Sequence, residues 1–275
     1  MRVWVALLAS ALGSCSRAAP TNGPEPSLEF RDEGRVVATL RLSELRAKVP
    51  EQTFTAFDPY YAKTKTFRAL PFDAVARLGF AALPNLDQRE LLLRARDGYT
   101  VPLRPPLSTE AGSYIAFADV DAPAWEPIGP QRANPGPFYF VWRGASQQNL
   151  ETHPRPWQLA VIEVARFEVV FPHTVPSGEP SGSPALEGFA LFRDRCVRCH
   201  AINREGGRVG PELNVPQNIL EYRPEPQVRA YVKNPLSFRY GNMPAHPDLS
   251  DRDLDHLIAY LAAMKSRKFD PETRP

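Results

Sequence analysis

Cys196-Val197-Arg198-Cys199-His200 is the densest cluster of chemically able side chains in this 275-residue sequence. Two thiols on consecutive helical turns can form thioethers to the two vinyl groups of one porphyrin, and a histidine directly after them is then held below the iron. Cys-x-x-Cys-His is the signature of c-type haem attachment. Three other uses of the same residues compete. A structural zinc site needs four ligands, usually two such pairs, and the third cysteine, Cys15, stands far away. A thioredoxin-like redox pair opens a helix after a strand, whereas this one follows a helical pattern. A plain disulfide leaves His200 without a role. The expectation is one covalent haem c, attached through Cys196 and Cys199, with His200 as proximal iron ligand.

The flanking elements suit that task. Ser183 and Pro184 offer a helix cap and a first-turn proline. Leu186, Phe189 and Ala190 then share one helical face leading to Cys196. Ser250-Asp251-Arg252-Asp253 resembles a capping box, and Leu254, Leu257, Ile258 and Leu261 form a helical stripe behind it. Asp251, Asp253 and Asp255 lie near the positive end of that helix, and Lys265, Arg267 and Lys268 near its negative end.

On these residues the segment 185–268 resembles a class I cytochrome c domain. The likeness rests on Gly188 and Phe192 in the first helix, Cys196 to His200, Gly210-Pro211-Glu212-Leu213, Met243-Pro244, and Tyr260-Leu261 in the last helix. It implies an all-α fold whose terminal helices cross at Gly188 against Phe192 and Tyr260. It implies that the Pro211 carbonyl accepts a hydrogen bond from His200 and so orients it. It also implies Met243 as distal iron ligand, within Tyr240-Gly241-Asn242-Met243-Pro244-Ala245. The rivals are His246, read as a loop residue, and His256, read as part of a solvated helix face. Met264 reads as core or surface. Thioether ligation favours reduced iron, and an iron closed on both sides points to electron transfer rather than catalysis.

Residues 1–15 combine one arginine, a short apolar run and Gly13-Ser14-Cys15. This is the plan of a secretory signal, too short to span a bilayer. Leu12-Gly13-Ser14-Cys15 resembles the lipobox of bacterial lipoproteins, which implies lipidation at Cys15, anchoring to a membrane and placement on the periplasmic side. Residues 16–27 read as a flexible tether.

Thirty prolines, about twice the usual share of roughly 5%, predict short elements and many turns. Residues 172–184, rich in Pro, Gly and Ser, read as a linker that rarely packs and marks a domain boundary; residues 269–275 read as a tail. Between tether and linker, residues 28–171 read as a mixed α+β, strand-rich domain. Turns are expected at Asp32-Glu33-Gly34, Asp58-Pro59 and Asp97-Gly98. Ser43 is expected to cap a short helix, Pro71–Leu78 to be helical, and Phe167 to Phe171 to form a half-buried strand. The expected fold is therefore two-domain, strand-rich α+β followed by the cytochrome domain. Thr66 to Phe72, Ala95 to Tyr99, Gly136 to Trp142 and Trp157-Gln158-Leu159 resemble parts of the sulfite-oxidase-type molybdopterin-binding fold. That family ligates molybdenum through a cysteine, which residues 28–171 lack, so molybdenum is not expected. His153 reads as a surface loop residue, Tyr60-Tyr61 as a turn with aromatic packing, and Trp125, Trp142 and Trp157 as core or interface.

A net charge of +2 argues against nucleic acid as partner. The expected partners are redox proteins (other cytochromes, an oxidase or a dehydrogenase) and the membrane. The expected function is single-electron transfer rather than catalysis. Two alternatives stay open: a haem subunit of an oxidoreductase whose N-terminal domain binds substrate or cofactor, and a haem-based redox sensor or binding module.

Overall fold

The computed structural model describes residues 24–129, 132–239 and 241–272. The expected signal, Cys15 and most of the tether lie outside the described residues. The strand-rich part opens with β1 (Ser27–Asp32) and β2 (Arg35–Arg41), followed by α1 (Leu42–Lys48). Then come β3 (Gln52–Asp58), β4 (Lys63–Pro71) and α2 (Phe72–Gly79). It continues through β5 (Leu91–Ala95), β6 (Thr100–Leu103), β7 (Ser113–Asp119), β8 (Tyr139–Trp142), β9 (Leu159–Val164) and the single turn α3 (Phe167–Val170).

Two sheets result. One has the order β2-β1-β9-β5-β6, and the other β3-β4-β7-β8. Every pairing within these two sheets is antiparallel except β1 with β9, which returns after the second sheet and runs parallel. The turns fall where expected. Glu33 and Gly34 both have positive φ, which a tight hairpin turn requires. Asp58 accepts hydrogen bonds from the Tyr60 and Tyr61 amides, and Asp97 from that of Tyr99. Leu91, Leu92 and Leu93 are all buried because β5 is covered on both faces. Leu91 and Leu93 join the core with Phe30, Leu70 and Trp142, whereas Leu92 faces the helical part.

Ion pairs are buried in the second sheet. Lys65 Nζ lies 2.7 Å from Asp119 with both side chains essentially inaccessible. Asp58 accepts from Tyr139 at 2.9 Å and from Arg155 at 3.3 Å. Neither cluster had a periodicity or motif to announce it.

The helical part comprises α4 (Pro184–Leu191), α5 (Ile219–Tyr222), α6 (Glu225–Lys233) and α7 (Asp251–Met264). A π-turn over Phe192–Cys196 extends α4. Both expected caps form: Ser183 accepts from the Leu186 amide, and Ser250 and Asp253 make a reciprocal box. At the α4/α7 crossing a Cβ on Gly188 would stand 1.9 Å from the His256 carbonyl oxygen. Only a glycine permits that approach. Among the described residues no helix is long and apolar enough to cross a membrane.

Several expectations are corrected. The helical part is not all-α: β10 (Ala201–Ile202) pairs antiparallel with β11 (Glu205–Gly206), closing the loop after His200. Phe167 to Phe171 is not a strand; α3 turns Phe167 and Phe171 into one core with Leu92, Phe189 and Tyr260. Helix α1 is capped by Glu44, which accepts from the Arg41 amide, not by Ser43. Nor do residues 172–184 behave as a loose linker. Thr174 is fully buried, and its carbonyl accepts from the Tyr260 hydroxyl at 2.8 Å. Arg267 binds Ser177 and Glu179, and the His173 ring stacks on Phe269. His153 is half-buried, edge-on to Trp142 and bonded to Glu110, so it is not a simple surface residue.

Candidate functional site

The attachment segment is a tight knot of backbone. The Cys199 and His200 amides both donate to the Cys196 carbonyl, at 3.1 and 2.9 Å. Further on, Gly207 donates to the Val197 carbonyl and Gly210 to that of Cys199, at 2.8 and 2.7 Å. A Cβ at Gly210 would lie 2.6 Å from the His200 ring, so the chain passes flat against the imidazole.

Cys196 and Cys199 are free thiols. Burial pushes them up to about 12 and about 11, which keeps them uncharged at neutral pH in the unmodified chain. Burial also holds His200 below 6.5, against the opposing pull of its hydrogen bond to Pro211. The imidazole is therefore neutral at pH 7. Its Nδ1 lies 2.8 Å from the Pro211 carbonyl oxygen; a carbonyl can only accept, so Nδ1 carries the proton and Nε2 keeps its lone pair.

Pro211 is positioned by a residue that sequence reasoning passed over. The Glu212 carboxylate accepts from the backbone amides of Asn203, Arg204, Asn214 and Val215, at 2.8 to 3.1 Å. Behind it runs a buried asparagine ladder. Asn214 donates to Asn203, and Asn218 donates to Asn214 and to the Leu261 carbonyl on α7. A carboxylate in Gly-Pro-Glu-Leu is a weak cue for such a role, and three separated asparagines are none.

Beneath the knot opens a cavity of about 510 Å³, within the range of small-molecule and cofactor sites. Its wall includes Cys196, His200, Pro211 and Met243, and is otherwise mostly apolar: Phe192, Leu213, Ile219, Val228, Val232, Leu257 and Leu261. Of the three distal-ligand candidates, Met243 lines this cavity; His246 and His256 do not. His246 is not a free loop residue. It is 6% exposed, and burial holds it below 6.5. Met264 is core. A neutral nitrogen donor, a thioether, two thiols and an apolar hollow fit a covalently held haem, with His200 and Met243 available to its iron.

The strand-rich part closes over the attachment segment. The Thr100 amide donates to the Arg198 carbonyl at 3.0 Å, and the Arg208 amide to that of Gly98 at 3.2 Å. The Arg198 guanidinium in turn donates to the carbonyls of Leu150 and Glu151. Ion pairs Arg104–Asp194 and Arg193–Glu168 tie the flanks.

Comparison with known proteins bears on the helical part. Residues 183–261 match the family "Cytochrome C oxidase, cbb3-type, subunit III". A "Cytochrome c oxidase subunit 2" of Alkalihalophilus pseudofirmus is 37% identical over 95 residues, which cover 32% of this chain and 28% of that relative. Residues 183–261 are thus a c-type cytochrome segment, with the haem binding and electron transfer that this family implies. The family match begins at residue 183, beyond residues 28–171, and their likeness to the molybdopterin-binding fold gains no support from it.

Proposed function

We propose that this chain is an exported, single-haem c-type cytochrome, lipid-tethered at Cys15, that passes single electrons between redox proteins at the periplasmic face of a membrane. The observation that carries the reading is the shared cavity of Cys196, His200 and Met243, with the His200 lone pair freed by Pro211. When bound, the haem supplies a reversible one-electron iron couple. The chain's own residues do the rest. Cys196 and Cys199 would anchor the macrocycle, and Pro211, held by Glu212, orients the imidazole through its carbonyl. Met243 would supply a thioether to the iron, a ligand type that favours the reduced state. The apolar wall excludes water, so little rearranges around the iron when its charge changes.

The test is the visible spectrum of residues 16–275, matured in a host that attaches haem c, beside a Met243→Ala variant. The expected result is covalent low-spin haem in both oxidation states, with the thioether-to-iron charge-transfer band lost in the variant alone. A high-spin wild type, or a variant with an unchanged spectrum, overturns the ligand set. An iron open to substrate or small ligands would bring the sensor and enzyme readings forward.

A second reading draws on the relative's name. The segment similar to an oxidase subunit suggests a terminal oxidase as electron acceptor. Steady-state oxidation of the reduced protein by oxidase-containing membranes, but not by oxidase-depleted ones, is the outcome that supports it.

A further inference from the structure

Arg198 lies between the two cysteines of the attachment segment, yet its side chain reaches into the strand-rich part. Its guanidinium is only 11% exposed and donates to the carbonyls of Leu150 and Glu151, at 3.3 and 2.7 Å. The Glu151 carboxylate stands 3.8 Å from the same guanidinium, an attraction without a hydrogen bond. Arg198 Nε and Glu151 Oε2 are both buried with no hydrogen-bond partner among the described residues. Backbone and packing therefore hold a cation and an anion side by side, and neither neutralises the other through a shared proton.

Both charges reach the attachment sulfurs. Burial is the main cause that pushes the Cys196 and Cys199 thiols up, but the Glu151 charge adds to it at both, and the Arg198 charge opposes it at both. Asp97 acts on Cys199 and Arg195 on Cys196, whereas Arg198 and Glu151 act on the pair. A field that changes the energy of charge at these sulfurs also changes the energy of charge on a group bonded to them. Iron gains one positive charge on oxidation. A fixed anion nearby favours the ferric state and lowers the potential, and a fixed cation does the reverse. Where water is excluded, both effects are weakly screened.

We propose that the strand-rich part sets the reduction potential of the haem, with Glu151 lowering it and Arg198, held by the Leu150 and Glu151 carbonyls, raising it. The proposal rests on the haem reading above. It gives residues 28–171 a task in electron transfer, the choice of the energy at which the electron is held. Neither residue lines the haem cavity, so both act through their field and not as iron ligands.

The experiment is a spectroelectrochemical titration of the full chain, matured with haem, at about 0.05 and about 0.5 M salt. The variants are Glu151→Gln, Arg198→Gln, the two together, and Arg198→Lys. Glu151→Gln is expected to raise the potential and Arg198→Gln to lower it, with the low-spin spectrum unchanged. Each should shift the ferric-to-ferrous ratio at a fixed electrode potential by on the order of threefold to tenfold. The double variant should fall between the two singles. Arg198→Lys, which keeps the charge, should stay nearer the wild type than Arg198→Gln. Unchanged potentials in variants that carry covalent haem overturn the proposal. Shifts of both Gln variants in one direction also overturn it, because a loosened interface that merely admits water would give that. So do shifts that vanish at the higher salt, which would put the charges in solvent. Should an Arg198 variant fail to mature, Glu151→Gln decides alone, since Glu151 lies outside the attachment segment. A wild type without covalent haem overturns the haem reading itself, whereas a haem-bearing set of indifferent variants leaves that reading intact and removes only the tuning.

Discussion

The imidazole of His200 shows how little freedom a metal ligand is left. Its Nδ1 is committed to Pro211, and a backbone without a side chain passes its ring at Gly210. Gly210→Ala would put a methyl 2.6 Å from that ring, so either the loop or the imidazole must move. We expect a matured Gly210→Ala protein to show a high-spin fraction or reduced haem yield, read from the visible spectrum. Titration follows from burial at a neighbouring histidine. His246 is held below 6.5 by it, so near pH 6 the unfolded chain binds more protons than the folded one. Stability is therefore fully present above about 6.5 and falls as pH drops below it toward the folded value. His246→Gln should flatten that fall, measured as denaturation midpoint between pH 7 and pH 5.

Among the elements, α4 and α7 depend on each other most directly. Their axes meet where Gly188 touches the His256 carbonyl, with Phe189 and Phe192 packed on Tyr260. Gly188→Val should force the helices apart at a cost of about 1–3 kcal/mol, seen as a lower denaturation midpoint with little change in slope. The loop that carries Pro211 depends instead on polar side chains. Removing Asn218 strands Asn214 and the Leu261 carbonyl in a dry interior, and a buried group left unpaired costs about 1–3 kcal/mol. Asn218→Ala should lose that much and also broaden the haem absorption bands, because the ladder links the His200 loop to α7. Glu212→Gln keeps the shape but weakens four amide contacts, and its effect should appear in the spectrum before it appears in stability.

For the whole molecule, the decisive feature is one core shared by both parts. Leu92, Phe167 and Phe171 come from one side, and Phe189, Phe192 and Tyr260 from the other. The supposed linker is pinned by Tyr260 and Arg267. We expect one cooperative unfolding transition, with tryptophan fluorescence from the strand-rich part and haem absorbance from the helical part changing at the same denaturant concentration. Phe167→Ala should lower both midpoints together, by about 3–5 kcal/mol. Separate transitions would show that the two parts are energetically independent. The buried Lys65–Asp119 pair belongs to this scale too, since it sets the inner side of the second sheet. Lys65→Met alone leaves Asp119 buried and unpaired, and about 3–5 kcal/mol of stability should be lost.

The local chemistry was legible in order along the chain. Cys196, Cys199 and His200 are neighbours; turn glycines, helix caps and the stripe of α7 are patterns of period one to four. Such signals depend on covalent geometry and backbone preference, which act within a few residues. What the sequence left open were relations between distant positions. That Met243 and not His246 lines the cavity, that Glu212 holds the Pro211 loop, and that Asn203, Asn214 and Asn218 form one ladder are facts of proximity. The same holds for Phe167 and Phe171, whose alternation suggested a strand until packing against Phe189 made a helical turn the better burial. It holds for residues 172–184, whose composition spoke of a loose chain while hydrogen bonds from Tyr260 and Arg267 bound it down. Backbone groups without local partners must find them somewhere, and where they find them is settled only when the chain has closed on itself.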